Sequence, residues 1–530
     1  MKGITVMTYQ NSLWGPVTRV LDRACLHFAT RTALIAGDRS LTYAELGGLT
    51  NRIANSLLAL GISKGDRVGL LMPNTLKFVP AQYGIWKAGA VPVQMAARAS
   101  AEDQEYFLTA SEATTLIYHQ AFDAVAAGLV QRVPTLRTLI RVGDQPVDLA
   151  LDFGEITSAA SDSAPGVELG PNDPAQILFT SGSTGIPKGV LFTHDRLSHY
   201  LITAGLEIGD TRPGEVFAHG APLTHFTQIF LLPTFLRGGT NVIMPGLDVD
   251  TLLGTVERHR VTATAIVPTV LYVLLDHPKL VAADLSSLGT VIYAGSPMAP
   301  EKLRAAVDAL GPVFVQAYAG TEPGFISCLR KQDHNADDPH ALARLGSAGR
   351  PLFQVDISIQ DEQDRPLPPG EPGEICVRQL GRMAGYLDAA KDSEAIRADW
   401  VHSGDIGYPD DAGYLFLVDR KKDLVVTGSY NVFPRQIEDV LATHPSVAQS
   451  AVIGVPHPKW GEAVHAVVVR RPGHPVTAFE LIELVKEHKG SVWAPKTLDF
   501  VESLPLNASG KVDKKALRAP YWSGRDRQVN

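Results

Sequence analysis

The chain has few cysteines, little excess charge and no long apolar run. Cys25, Cys328 and Cys376 stand far apart in 530 residues, and none belongs to a CxxC pair. Such spacing gives no disulfide framework and fits thiols packed in a reducing compartment. Among the longest apolar stretches is Ala265–Leu275, broken by Pro268 and Thr269; a membrane-spanning helix needs roughly 18–20 residues. The start, MKGITVMTYQNSLWGP, has no apolar h-region and no small-residue cleavage pattern, so no secretory leader is expected, and initiation at Met1 or Met7 stays open. Forty-eight Lys plus Arg against 56 Asp plus Glu give a net charge of −8. That weak acidity argues against nucleic acid as the main partner and leaves room for a local basic pocket. The absence of any G-x-G excludes the usual dinucleotide fingerprint. Together these absences predict a cytoplasmic protein without a membrane span.

What is present is a core. Hydrophobic residues make up 45% and charged residues 20%, values of a globular protein, and the length suggests two to four units. Thr42 and Glu45 form a capping box ahead of Leu46, Leu49, Ile53, Leu57 and Leu60 at helical spacing, with Gly61 as the stop. A strand at 66–72, a helix to about Ala88 and a strand at 90–93 follow, which is a βαβ unit and predicts parallel sheets. The same alternation recurs at 261–318. After about residue 350 the pattern becomes short strands between Pro/Gly turns, and a compact α+β tail follows the charge run Asp419–Asp423. A charge run reads equally as a solvated turn, so composition alone does not make it a boundary.

The segment FTSGSTGIPKGV, residues 179–190, lies between strand-like Ala175–Thr180 and Gly189–Thr193. It is not a Walker loop. Ile186 and Pro187 separate Gly185 from Lys188, Gly189 follows, and Pro187 disfavours helix at Ile186. Glycines that turn amides inward, the hydroxyls of Ser181, Ser183 and Thr184, and the Lys188 cation suit a polyphosphate. A flexible Gly/Ser surface loop is the plainer alternative, though such a linker has no need of a Pro-Lys-Gly ending between two apolar strands.

The loop resembles the signature of the adenylate-forming superfamily of acyl-CoA synthetases, peptide-synthetase adenylation domains and firefly luciferase. Further motifs similar to that family follow in its order. They are Pro222-Leu223-Thr224-His225, Tyr318-Ala319-Gly320-Thr321-Glu322, Gly373-Glu374-Ile375, Ser403-Gly404-Asp405-Ile406-Gly407, Asp419–Asp423, Asn431-Val432-Phe433-Pro434, Gly461-Glu462 and Ser509-Gly510-Lys511. They span nearly the whole chain.

The resemblance implies that a carboxylate attacks the α-phosphorus of ATP to give an acyl-adenylate and pyrophosphate, and that a second nucleophile displaces AMP. Thr180, Ser181, Gly182, Ser183, Thr184, Gly185 and Lys188 would hold the departing phosphates, and Glu322 would coordinate Mg²⁺. Tyr318 with Ala319, Gly320 and Thr321 would meet the adenine side, and Gly295-Ser296-Pro297 would wall the nucleotide site. Asp405 would accept the ribose hydroxyls, Arg420 would reach ribose or phosphate, and Lys511 would bridge the substrate carboxylate and α-phosphate. Thr184, Lys188, His225, Glu322 and Lys511 are the catalytic set so implied, with His225 as the gate toward the acceptor and Lys422 as the pivot of a mobile C-terminal domain. Without the resemblance, Glu322 reads as a turn-capping acid, Tyr318 as a core aromatic, Asp405 and Arg420 as turn charges, His225 as a buried corner histidine and Lys511 as one of several surface lysines.

The acid pocket implied by the family comprises His225, Phe226, Gln228, Ala294, Gly295, Ala319 and Gly320. Amino-acid-activating relatives carry an Asp near His225–Gln228 to pair with the α-ammonium, and none occurs here. The substrate is therefore expected to be an aryl, arylpropenoic or fatty acid. Ala319, where relatives carry Gly, would narrow the pocket, and Ser429 departs from the Gly-Gly that often borders the thiol channel. His334–His340 superficially suggests a metal site but reads better as a polar loop.

The expected architecture is α/β: a large N-terminal region (1–420) with parallel sheets and a small barrel-like β subdomain, then a small mobile α+β domain (421–530). The chain ends soon after Lys511, so the acceptor is expected to be a separate molecule. Coenzyme A is the first expectation, with an amine or a free carrier protein as alternatives. A homodimer is an assembly the sequence leaves open.

Overall fold

A computed structural model describes residues 15–180, 186–208, 213–296, 298, 300–334, 343–428, 430–506 and 511–523. The capping box opens the helix Tyr43–Ala59: the Glu45 amide donates to the Thr42 hydroxyl at 3.2 Å and the Thr42 amide to the Glu45 carboxylate at 2.7 Å. Leu46, Ile53 and Leu57 are buried, and Gly61 takes the left-handed φ of +85° that ends the helix.

The described chain divides into two compact units that interleave in sequence. One takes the residues up to Ala294 with Val313–Ile326 and Arg378–Val401; the other takes Gly295–Pro312, Ser327–Val377 and the residues from His402 on. The first unit carries a parallel run of strands in the order Phe314–Gly320, Thr290–Ala294, Ala263–Ile266, Val216–His219, Thr240–Ile243, Thr32–Ala36, closed by antiparallel Arg39–Thr42. Its second sheet runs Gly385–Tyr386, Lys188–Thr193, Pro174–Thr180, Val91–Gln94, Arg67–Leu71, Thr115–His119, Thr138–Val142, Leu151–Asp152. Apolar runs such as Val68, Leu70 and Leu71 form these strands because helices cover both faces, which hides alternate and consecutive residues alike.

Asp356–Gln360, Gly373–Arg378, Trp400–Pro409 and Leu415–Arg420, all in the second unit except Arg378, Trp400 and Val401, form the expected β subdomain. The tail builds a sheet from Tyr430–Val432, Val425–Thr427, Gly461–Arg470 and Val447–His457, with Thr497–Val501 parallel to Gly461–Arg470. Helices Pro434–Ala442 and Ala478–Lys489 pack Ile437, Leu441, Leu481 and Val485 against Val452, Val464 and Val468. A second capping box, Thr477 with Glu480, starts the latter helix.

The charge run is less solvated than its composition suggests. Asp423 is buried against Arg518, and Asp419 accepts the backbone amides of Arg420 at 2.7 Å and Arg435 at 3.0 Å. Burial pushes the Asp419 carboxyl up to about 6, although Lys514 and those amides oppose the shift. No helix among the described residues is long and apolar enough to cross a membrane.

Candidate active site

In open α/β sheets, ligands bind outside the carboxyl ends of the strands. Three parallel strands of one sheet in the first unit lead to sequence-predicted residues at that edge. Val216–His219 leads to His225, Thr290–Ala294 ends on Ala294, and Phe314–Gly320 ends on Tyr318, Ala319 and Gly320. His219 fixes the turn: its buried ring spans the Thr227 hydroxyl at 2.8 Å and Asn241 Oδ1 at 2.7 Å. Burial pushes its pKa down to about 4, so it works as a neutral brace. Beyond the brace, the His225 ring meets the Thr224 hydroxyl at 2.8 Å. Phe226 packs edge-on against Phe230 with centroids 5.5 Å apart. Gln228 is buried and accepts a hydrogen bond from Gln82 at 3.2 Å. Tyr318 is buried, while Ala319, Gly320 and Thr321 are half-buried. At Gly320 a Cβ would approach the Pro323 ring to 2.9 Å, so the turn into Glu322 has no room for a side chain there.

In the same unit, the segment expected to meet phosphates is flanked by an antiparallel pair. Thr180 ends one strand, Lys188 begins the next, and the two are register partners. Gly189 lets the backbone pass close to Leu387, whose methyl would lie 2.6 Å from a Cβ. The Thr180 hydroxyl donates to Glu322 Oε1 at 3.0 Å, and the Tyr386 phenol donates to the same oxygen at 3.3 Å. The Lys188 ammonium lies 2.5 Å from Glu394 Oε2 and 5.1 Å from the Tyr386 ring centroid. Ser181, Gly182, Ser183, Thr184 and Gly185 lie outside the described residues. Glu322 fits a hard cation: it is a half-buried carboxylate whose Oε1 is oriented by two hydroxyls.

The second unit gathers the remaining charges. Asp405 and Arg420 face each other across antiparallel strands, with Arg420 Nε 3.3 Å from Asp405 Oδ1. Lys511 joins them. Its pKa is pushed down to about 8 by burial, with Arg420 and Lys422 adding to the shift and Asp405 opposing it. Lys511 directly precedes Val512, which bridges to Leu506, and Asp513 caps the helix Lys514–Trp522. That helix is tied down by Lys514–Glu438 at 2.7 Å and Arg518–Asp423 at 2.9 Å. Glu374 accepts the Gly404 amide, next to Asp405, at 3.2 Å. Burial alone would raise its carboxyl, but the hydrogen bond from His402 and the Lys421 charge outweigh it and hold the pKa near about 2. Gly295 adopts a φ of +94° and Ser296 is exposed, both in this unit; Pro297, Ser429, Ser509 and Gly510 are outside the described residues.

His334 is buried, with Nδ1 2.8 Å from the Arg330 carbonyl, and residues 335–340 are not described. Among the described residues no three His, Cys, Asp or Glu side chains are gathered to hold a metal. Sequence reasoning missed Tyr386, Glu394 and Arg518. Each acts through a partner distant in the chain, and no local pattern marks them.

The group of Thr180, Glu322 and Lys188, and that of Asp405, Arg420 and Lys511 on the second unit, are composed as expected for the adenylate-forming class of ATP-utilising ligases. Residues 21–387 match the family described as AMP-binding enzyme and residues 436–511 its C-terminal domain, so the chain belongs to the AMP-binding enzyme family. It is 36% identical to the medium/long-chain-fatty-acid–CoA ligase FadD8 of Mycobacterium tuberculosis, over 94% of this chain and 89% of that protein. To a feruloyl-CoA synthase of Amycolatopsis sp it is 35% identical, over 92% and 96% of the two chains. The solved amide bond synthetase McbA from Marinactinospora thermotolerans superposes with a TM-score of 0.86 at 30% identity, covering 96% of this chain and all (100%) of that one. The protein is an AMP-forming carboxylic acid ligase.

Proposed function

We propose that the enzyme activates an aryl, arylpropenoic or fatty acid as its acyl-adenylate, releases pyrophosphate, and transfers the acyl group to coenzyme A. The observation that carries this reading is the convergence of Lys511, Arg420 and Asp405 in one unit. A carboxylate is a poor nucleophile toward a triphosphate until charge is neutralised and the reactants are held in line. In this reading Asp405 accepts the ribose hydroxyls, Arg420 reaches ribose or phosphate, and Lys511 bridges the two reacting anions. Thr180, Ser181, Gly182, Ser183, Thr184, Gly185 and Lys188 hold the leaving phosphates. Glu322 holds Mg²⁺, which supplies charge neutralisation on the phosphates when bound. Tyr318, Ala319, Gly320, Thr321 and the Gly295-Ser296-Pro297 turn flank the nucleotide.

His225, Phe226, Gln228, Ala294, Gly295, Ala319 and Gly320 form the acid pocket in this reading. No acidic residue lies in His225–Gln228 to receive an α-ammonium, which favours acids without one. We place the pivot at Lys422, dividing residues 1–420 from 421–530, and the protein in the cytoplasm, acting on small molecules as a monomer or homodimer.

An amine acceptor is the second reading, favoured by the likeness to an amide bond synthetase over 96% of the chain; a carrier protein is a third acceptor. Incubation with ATP, Mg²⁺ and a mixed acid library, with and without coenzyme A, separates these by mass spectrometry. A thioester is the expected product. Release of ADP and orthophosphate in place of AMP and pyrophosphate would overturn the whole reading, and preference for a free α-amino acid would overturn the pocket assignment.

A further inference from the structure

Glu322 and Lys188 carry opposite charges in one unit, and both are assigned above to the same ATP. Left to themselves, a carboxylate and an ammonium facing one cavity pair with each other, and each is then lost to its ligand. The structure shows what stands at both. The Tyr386 hydroxyl donates to Glu322 Oε1 at 3.3 Å, while its ring face lies 5.1 Å from the Lys188 ammonium. The same residue therefore contacts the acid through its edge and the base through its face. Its place is set by the backbone: Gly385–Tyr386 pairs antiparallel with Val190 and Leu191, two and three residues beyond Lys188, and the Tyr386 amide donates to Asp392 Oδ1 at 2.7 Å. The Lys188 charge is meanwhile taken by Glu394 at 2.5 Å, with Lys188 12% and Glu394 53% exposed. Glu394 can thus swing into solvent when a stronger anion arrives.

Resting on the phosphate and metal roles assigned above, we propose that Tyr386 is a positioning residue that keeps Glu322 and Lys188 apart, and that Glu394 is the counter-ion Lys188 exchanges for triphosphate. ATP binding then replaces the Lys188–Glu394 pair by a Lys188–phosphate pair and releases the Glu394 carboxylate to solvent.

The test is nucleotide affinity by calorimetry on the full chain, with and without Mg²⁺, alongside thermal unfolding of each variant. Tyr386→Phe keeps the ring and removes the hydrogen bond to a charged group, an interaction whose loss corresponds to about tenfold. It should weaken Mg²⁺-dependent ATP binding by about that factor and leave metal-free ATP binding within about twofold. Tyr386→Leu removes the spacer and should weaken both. Glu394→Gln removes the competing charge of a half-exposed pair and should tighten metal-free ATP binding by about two- to fivefold. Equal weakening by Tyr386→Phe in both conditions, or unchanged or weaker binding in Glu394→Gln, would overturn the proposal. If Tyr386→Leu fails to fold, the other two variants decide. A parent enzyme that binds no ATP at all would instead overturn the phosphate-site reading on which this rests.

Discussion

The Asp423 carboxylate and the Arg518 guanidinium meet at 2.9 Å with only 12% and 14% of their side chains exposed. This pair joins the turn that holds Lys422 to the helix that follows Lys511. Removing Arg518 takes the directly bonded partner from a buried carboxylate and leaves it only the Lys514 charge, so Arg518→Met should cost about 3 kcal/mol in denaturant unfolding. The double variant with Asp423→Asn should recover part of that loss, because both partners go together. The pH dependence follows the same pair. Burial raises the Asp423 carboxyl, but Lys514 and Arg518 outweigh it and hold its pKa below the ordinary value. A depressed carboxyl contributes stability above its unfolded pKa of about 3.9 and loses it as pH falls through the folded value. Unfolding curves below pH 4 should therefore weaken more steeply for the parent than for the double variant.

The turn Lys421–Asp423 lies between the strands Leu415–Arg420 and Val425–Thr427, and the Leu424 amide closes it on the Arg420 carbonyl at 3.2 Å. If this turn is the pivot, a ring that fixes φ there should stop rotation while leaving one orientation intact. Lys422→Pro should keep single-turnover acyl-adenylate formation within a few-fold and impair transfer to the thiol. Lys422→Ala separates the charge from the rotation, since it removes the ammonium near Lys511 and leaves the backbone free. Equal loss of both half-reactions in Lys422→Pro, with Lys422→Ala normal, would remove the pivot from this turn.

Much of this architecture was legible from local chemistry. The Thr42–Glu45 box, the βαβ alternation and the strands ending at Thr180 and beginning at Lys188 were each predicted from neighbouring residues and stand where predicted. Local spacing carries helix starts and strand runs because those depend on the backbone and on periodic burial. The partners of the charged residues were not legible. Lys188 finds Glu394 and Asp423 finds Arg518 across long stretches of chain, and nothing in the text of the sequence near Glu394 or Arg518 differs from a solvated helix or turn. The charge run Asp419–Asp423 shows the same limit from the other side. Composition alone reads it as equally a surface turn, whereas two of its acids are satisfied inside the fold.

Ala319 is the next-to-last residue of the strand Phe314–Gly320 and is half-buried at the sheet's carboxyl edge. In the proposed reading its methyl lines the acid pocket. A methylene-sized change in a pocket is worth about 1–3 kcal/mol, or roughly 10–200-fold between competing acids. Ala319→Gly should therefore widen the acid profile in pyrophosphate exchange and raise kcat/KM for bulkier acids relative to compact ones. An unchanged ratio would place Ala319 away from the acid.

Lys511 combines burial with two cationic neighbours, Arg420 and Lys422, which together lower its pKa to about 8. In the proposed role Lys511 must be protonated to stabilise charge between two anions, and that role is lost as pH rises through this value. For the free enzyme, kcat/KM of adenylation should fall above pH 8, because that parameter reports the unliganded ionisation. Bound triphosphate favours the ammonium, so the limb in kcat should lie at higher pH than the limb in kcat/KM. Lys511→Ala should slow adenylation by about 10²–10³, the usual loss for a preorganised donor, and should abolish the alkaline limb. Transfer from preformed acyl-adenylate should change far less. A Lys511→Ala enzyme that adenylates at the parent rate, or that keeps the same alkaline limb, would assign the titration and the charge stabilisation to another group.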